Sequence, residues 1–203
     1  ERKPTPKKAA ISYDGMGDGH TFFLPPVKED TEITGPLAAK LFVSSETTDA
    51  DLFLVVRLFS ADMKEVTFKG TVDPHTPIAQ GWLGASHRKL DTKKSKPWRP
   101  WHTHDAKQPL KPGQIYELDI EIWPTCIVIP AGYRLALTVR GKDYVYSGEP
   151  LNLSNFAHPL DGCGPFLHDD PKDRPKKIFG GDVTIKSGAG LKTSSGSVSI
   201  TSS

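Results

Sequence analysis

The sequence has little cysteine: Cys126 and Cys163 are its only two. That is too few for a disulfide framework, so they read as two unpaired core thiols, with a single bridge as the alternative. Long apolar runs are absent, which excludes a membrane-spanning segment, and no basic amphipathic helix offers a membrane-surface role. Charge of one sign is not in excess. Lys plus Arg is 26 and Asp plus Glu is 24, so 26 − 24 gives +2, no electrostatic footprint for nucleic acid. The one basic run, Arg2, Lys3, Lys7 and Lys8, has no interleaved aromatics and reads as a solvated linker over residues 1–9. A starting methionine is also lacking, so the sequence reads as a fragment, a processed product or an incomplete gene product. Its localisation stays open, leaning cytoplasmic, and the Asn152-Leu153-Ser154 sequon adds little.

A helical period is missing as well. Eighteen Gly and eighteen Pro are spread along the chain and leave little room for a long helix. What lies between them alternates with period two. Tyr116, Leu118, Ile120 and Ile122 oppose Glu117, Asp119 and Glu121. Tyr133, Leu135, Leu137 and Val139 oppose Arg134, Ala136, Thr138 and Arg140, and Val183 and Ile185 alternate with Asp182, Thr184 and Lys186. This pattern predicts half-buried strands, apolar side inward and charged side in water. Further strands are expected near 9–13, 37–44, 64–72 and 78–86, so the fold class is all-β, a single jelly-roll β-sandwich. One strand breaks the rule. Leu52, Leu54, Val56 and Leu58 line one face, while Phe53, Val55 and Phe59 occupy the other beside Arg57. A strand apolar on both faces is covered on both, either by a loop of the same domain or by another domain.

Two long loops are expected, at 91–112 (rich in Lys, Pro, Trp and His) and at about 147–177. The tail 187–203 is mostly Ser, Thr and Gly, with Val198 and Ile200 able to form a weak edge strand.

Catalytic signatures are sparse. No Gly-x-Ser-x-Gly elbow, phosphate loop or dinucleotide fingerprint is present, so no catalytic residue is assigned. Ser86 beside His87 suggests a nucleophile and base, but neighbours on a strand point apart. For metal, His102 and His104 would project to one side of an extended segment, with His87, His75 or His168 as a third ligand. The competing reading is that these histidines hydrogen-bond within a crowded loop near Trp98 and Trp101, and no cofactor is expected. Asp14 and Asp18 around Gly15 and Gly17 read as a Gly-rich turn rather than a calcium loop. His168-Asp169-Asp170 reads as solvated or paired with Arg174.

Several stretches together resemble a known domain. Thr34-Gly35-Pro36-Leu37, Lys40 through Ser45, and Asp49 through Leu54 resemble the opening of the C-terminal jelly roll of the cocaine-esterase and X-Pro dipeptidyl-peptidase serine hydrolases. Gly81 through Arg88 resembles that domain's "G-W-L-R-A-S-H-R" strand, and Pro112 through Leu118 with Trp123-Pro124-Thr125 resembles the next pair. Ala131 through Leu135, Phe166 through Pro171, Asp173-Arg174-Pro175 and Phe179-Gly180-Gly181 follow in order, so the resemblance spans about residues 10–186. Two departures stand out: Gly84 where relatives usually carry Arg, and a Ser-rich stretch, Leu191 through Gly196, where relatives place an apolar closing strand.

The resemblance implies a galactose-binding-like jelly roll that packs on an α/β-hydrolase catalytic domain, helps to close its active-site mouth and in some members contributes oligomer contacts. The Ser-His-Asp triad would belong to that other domain, so this chain alone is expected to be inactive. Phe53, Val55 and Phe59 are expected to dock against it. The competing class is a carbohydrate-binding module, in which Trp98 and Trp101 of the long loop would stack on a sugar or make interdomain contacts, while Trp82 and Trp123 lie in strands and read as core. A non-functional remnant is the third possibility.

Overall fold

The structure, a computed structural model, describes residues 10–15, 17–69, 75–144 and 146, and gives the backbone of the strands at 177–187 and 197–200. Among these residues ten strands follow in order: β1 (Ile11–Asp14), β2 (His20–Phe23), β3 (Thr31–Ser45), β4 (Asp51–Phe59), β5 (Glu65–Val66), β6 (Ala79–Gly84), β7 (Tyr116–Ile129), β8 (Arg134–Arg140), β9 (Lys177–Ser187) and β10 (Ser197–Ile200). They form two five-stranded sheets. One has the order β1-β9-β3-β7 with β10 also on β9; the other has β2-β8-β4-β5 with β6 also on β4. All the pairings are antiparallel. Through its first four strands the chain alternates between sheets, the jelly-roll habit of a sandwich. No helix among the described residues is long and apolar enough to cross a membrane.

The core lies between the sheets. Leu37, Leu41 and Val43 of β3 and Leu118, Ile120 and Ile122 of β7 face Leu52, Leu54, Val56 and Leu58 of β4 and Leu135, Leu137 and Val139 of β8. These are the residues that period-two patterning places inward.

Sequence and structure part at the strand ends. β5 has two residues where a strand over 64–72 is expected, and β6 gives way at Ala85–His87 to a 3-10 turn. β2 carries no alternation that announces it. β7 runs on to Ile129 because a bulge absorbs Pro124: Leu37 pairs Ile122 but Gly35 pairs Thr125, so β7 spends one residue more than β3. Gly35 meets that bulge with φ 118°. Past it the alternation shifts by one, turning Cys126 and Val128 outward. β10 pairs Ser197 with Lys186 and Ile200 with Val183, forming the weak edge strand that Val198 and Ile200 suggest.

The second face of β4 has an answer. Phe53, Val55 and Phe59 are only 3%, 1% and 8% exposed, so the chain itself covers them. The expected docking face is therefore not open to solvent, and Phe59 meets Phe23 there with ring centroids 5.0 Å apart. The polar side of β8 is buried there too, contrary to the expected solvent exposure of Thr138 and Arg140. Burial is tolerated because the Thr138 hydroxyl and one end of the Arg140 guanidinium have partners, although Arg140 Nε has none among the described residues. Thr138 Oγ1 lies 2.8 Å from Thr21 Oγ1, and Arg140 Nη2 donates to Asp18 Oδ1 at 2.5 Å. Arg57 donates two bonds to Glu65, at 2.7 and 2.6 Å, and the Tyr144 hydroxyl donates to the same carboxylate at 2.9 Å. Glu65→Gln removes the charge of this bidentate pair but keeps an acceptor. A loss of about 1–2 kcal/mol is expected, read as a lower urea midpoint with unchanged slope. An unchanged midpoint would mean the pair contributes nothing.

Candidate functional site

The loop between β6 and β7 carries most of the candidate residues, and its base is tightly tied. The Asp49 carboxylate, 2% exposed, accepts from the Ser86 hydroxyl at 2.5 Å, from the Ser86 amide at 2.9 Å and from the Ala50 amide at 2.9 Å. Ala85 N donates to Ala50 O at 2.8 Å, Gln108 N to Ser86 O at 2.7 Å, and Leu110 N to Thr48 O at 2.7 Å. Both ends of the loop are thus stapled to the β3–β4 connection. Ser86 is fully buried and gives its proton to a carboxylate, not to an imidazole. A nucleophile needs a base and access to substrate; Ser86 has neither arrangement. Ser86 and His87 sit side by side in the 3-10 turn Ala85–His87, not in a strand.

The three histidines of this region do meet. The His87 and His104 rings are 5.8 Å apart and those of His102 and His104 are 6.0 Å apart. His87 Nδ1 and His102 Nε2 are buried without a hydrogen-bond partner in the described structure. Yet among the described residues no three His, Cys, Asp or Glu groups are arranged to hold a metal ion. His102 instead pairs across the loop with Leu90 in an antiparallel bridge. His75 stacks on Tyr146, with ring centroids 3.7 Å apart. Asp18 forms ion pairs with Arg140 and Lys142, which accounts for it without calcium.

Burial, reinforced by His104 and His87, pushes the His102 imidazole below its usual range, while Asp119 opposes the shift. The unfolded chain therefore binds this proton more readily than the folded one. The contribution is fully present above the unfolded value, about 6.5, and is lost as pH falls from there towards the lower folded value. The urea midpoint is expected to drop between pH 7 and 5, and His102→Gln to flatten that profile. A variant profile parallel to wild type would rule His102 out as the source.

The tryptophans are arranged differently from the sequence reading. Trp98 and Trp101 are exposed at 37% and 40%, but Trp123, expected in the core, is 61% exposed on β7. Trp82 is half-buried and meets Trp123 edge-on, with centroids 4.9 Å apart. The signal was available in β7 itself: its uninterrupted alternation puts Trp123 on the outer side with Glu117, Asp119 and Glu121. Cys126 is an exposed free thiol and not a core one. Cys163, His168, Asp169, Asp170, the sequon and the 1–9 linker lie outside the described residues.

Comparison with known proteins places this geometry. Residues 3–170 match the family described as the X-Pro dipeptidyl-peptidase C-terminal non-catalytic domain. Two curated mycobacterial proteins, "Putative serine esterase Mb1866c" of Mycobacterium bovis and "Putative serine esterase MT1883" of Mycobacterium tuberculosis, are each 29% identical over 150 residues, covering 71% of this chain and 20% of theirs. The crystal structure of a CocE/NonD family hydrolase from Staphylococcus aureus has the same fold at TM-score 0.71 and 24% identity, over 94% of this chain and 32% of that one. The chain thus spans about a fifth of the length of the curated relatives it matches. On the match over residues 3–170, the chain belongs to the family of X-Pro dipeptidyl-peptidase C-terminal non-catalytic domains.

Proposed function

We propose that the chain serves as the non-catalytic β-sandwich of a larger serine hydrolase, packing against an α/β-hydrolase catalytic domain and shaping the mouth of its active site. The observation that carries this reading is the family match, whose description is non-catalytic. The parent reaction would be ester or amide hydrolysis through an acyl-enzyme, with a nucleophile and oxyanion donors supplied by the other domain. The staple at Asp49 supports a positioning role, since it presents a long loop rigidly at one end of the sandwich. Activated-ester hydrolysis tests the reading. The chain alone is expected to show no Ser-dependent burst, and joining it to the catalytic two-thirds of the Staphylococcus aureus hydrolase should alter acyl selectivity. A burst from the chain alone would overturn it.

Exposed Trp98 and Trp101 favour a second reading, a carbohydrate-binding module. Saturable binding of a sugar by the isolated chain, lost in Trp98→Ala, would establish it.

A further inference from the structure

We propose that the face formed by Trp98, Arg99, Trp101 and Trp123, flanked by Lys93, Lys94 and Lys96, is where this domain docks onto an acidic surface of the catalytic part of its parent hydrolase. The proposal rests on the packing role above and names the surface that performs it.

The tip of the loop is built rather than loose. Lys96 and Arg99 exchange backbone hydrogen bonds at 3.0 Å each, closing a tight turn over Pro97 and Trp98. Asp91 Oδ1 accepts from the Lys93 and Lys94 amides at 2.9 and 3.1 Å, and Trp101 N donates to Ser95 Oγ at 3.0 Å. Asp91 N donates to Trp101 O at 2.8 Å. Two indoles are therefore held outward on a preformed frame, which spares the ordering entropy of binding.

Arg99 joins this tip to the sheet. Its guanidinium lies 5.4 Å from the Trp101 ring centre, and its Nε is 3.6 Å from Glu121 Oε1. Glu121 and Trp123 are two residues apart on the outer side of β7, so Trp101, Arg99 and Trp123 belong to one continuous surface. Tryptophan and arginine are the residues that dominate interface energetics, and large apolar patches seldom stay open on a lone domain.

Two observations select the occupant. The chain spans 20% of its curated relatives, so in proteins of that length most of the polypeptide lies outside the region that matches it. Its charge selects an acidic face: Lys93, Lys94, Lys96 and Arg99 are all exposed, and Glu121 answers only Arg99. A sugar fits less well, because Lys94 at 5.2 Å joins Arg99 against the Trp101 ring that a pyranose would stack on.

The test uses a chimera in which this chain replaces the matching third of the Staphylococcus aureus hydrolase, together with the isolated chain mixed with the remaining catalytic part. Hydroxyl-radical footprinting mapped by mass spectrometry reads each indole. Oxidation of Trp98, Trp101 and Trp123 is expected to fall roughly fivefold or more on docking, with Met63 unchanged. Lys93→Glu/Lys94→Glu/Lys96→Glu should weaken association in trans by roughly tenfold or more while leaving the urea midpoint of the isolated chain in place. Association with all three indoles still reactive would overturn this face and leave the packing role standing. No association in either format would overturn both. Protection by a sugar, without protection in the chimera, would overturn it in favour of glycan binding.

Discussion

Asp49→Ala is expected to lower the stability of this domain by about 3 kcal/mol or more, measured as a fall in the urea midpoint at pH 7. The carboxylate sits buried at the end of the β3–β4 connection and takes three hydrogen bonds, two from Ser86 and one from Ala50. Removing it strands a buried hydroxyl and two buried amides, and the cost of leaving donors unmade exceeds the net gain of making them. The Lys107 ammonium, 3.7 Å away and half exposed, contributes little to that sum. Ser86→Ala should cost less, about 1–2 kcal/mol, since it deletes a donor together with its need for a partner. The double variant should then cost less than the two singles together. Strict additivity would show that the pair is not coupled. Because Gln108 and Leu110 are tied to the same staple, Asp49→Ala should also speed amide exchange across the Trp98–Trp101 turn.

Gly81→Ala is the second large effect, about 3 kcal/mol of destabilisation. A methyl at this position would stand 2.2 Å from the Glu121 carbonyl oxygen and 3.0 Å from Ile122 Cγ1. The obstacle is backbone and has no rotamer to adopt, so β6 and β7 must separate where the sandwich closes. In a site with space the same change would stabilise by about 0.4–1 kcal/mol through the unfolded chain, so even the sign is informative. Spreading these strands also pulls Trp82 from Trp123, which near-UV circular dichroism would register as lost tryptophan signal. A midpoint equal to or above wild type would contradict the close approach. In the chimera, this variant should expose Trp123 even where Trp98 remains protected.

How much of this was legible beforehand depends on how local each determinant is. The inward faces of β4, β7 and β8 were readable because a strand's period is fixed by its own backbone, and Leu118, Ile120, Leu135 and Leu137 fall where it puts them. The lack of a nucleophile elbow needed no structure either, since that motif is contiguous. Order and spacing of short motifs across residues 10–186 pointed to the family that the match over 3–170 shows. Read alone, the sequence also established that the second face of β4 must be covered, because seven apolar residues on two faces of one strand cannot both face water.

What covers that face was decided only by tertiary structure. Arg57, Thr138 and Arg140 look like solvent residues until Glu65, Thr21 and Asp18, distant in sequence, arrive to satisfy them. The Asp49–Ser86 staple joins residues 37 apart, and neither is unusual among its own neighbours. Cys126 lies outward instead of in the core because one inserted residue at a bulge reverses the side chains beyond it, and the register that forces the insertion belongs to β3 as much as to β7. Local period fixes which residues want burial; pairing across the sheets fixes which obtain it, and so which polar groups of β4 and β8 end up inside.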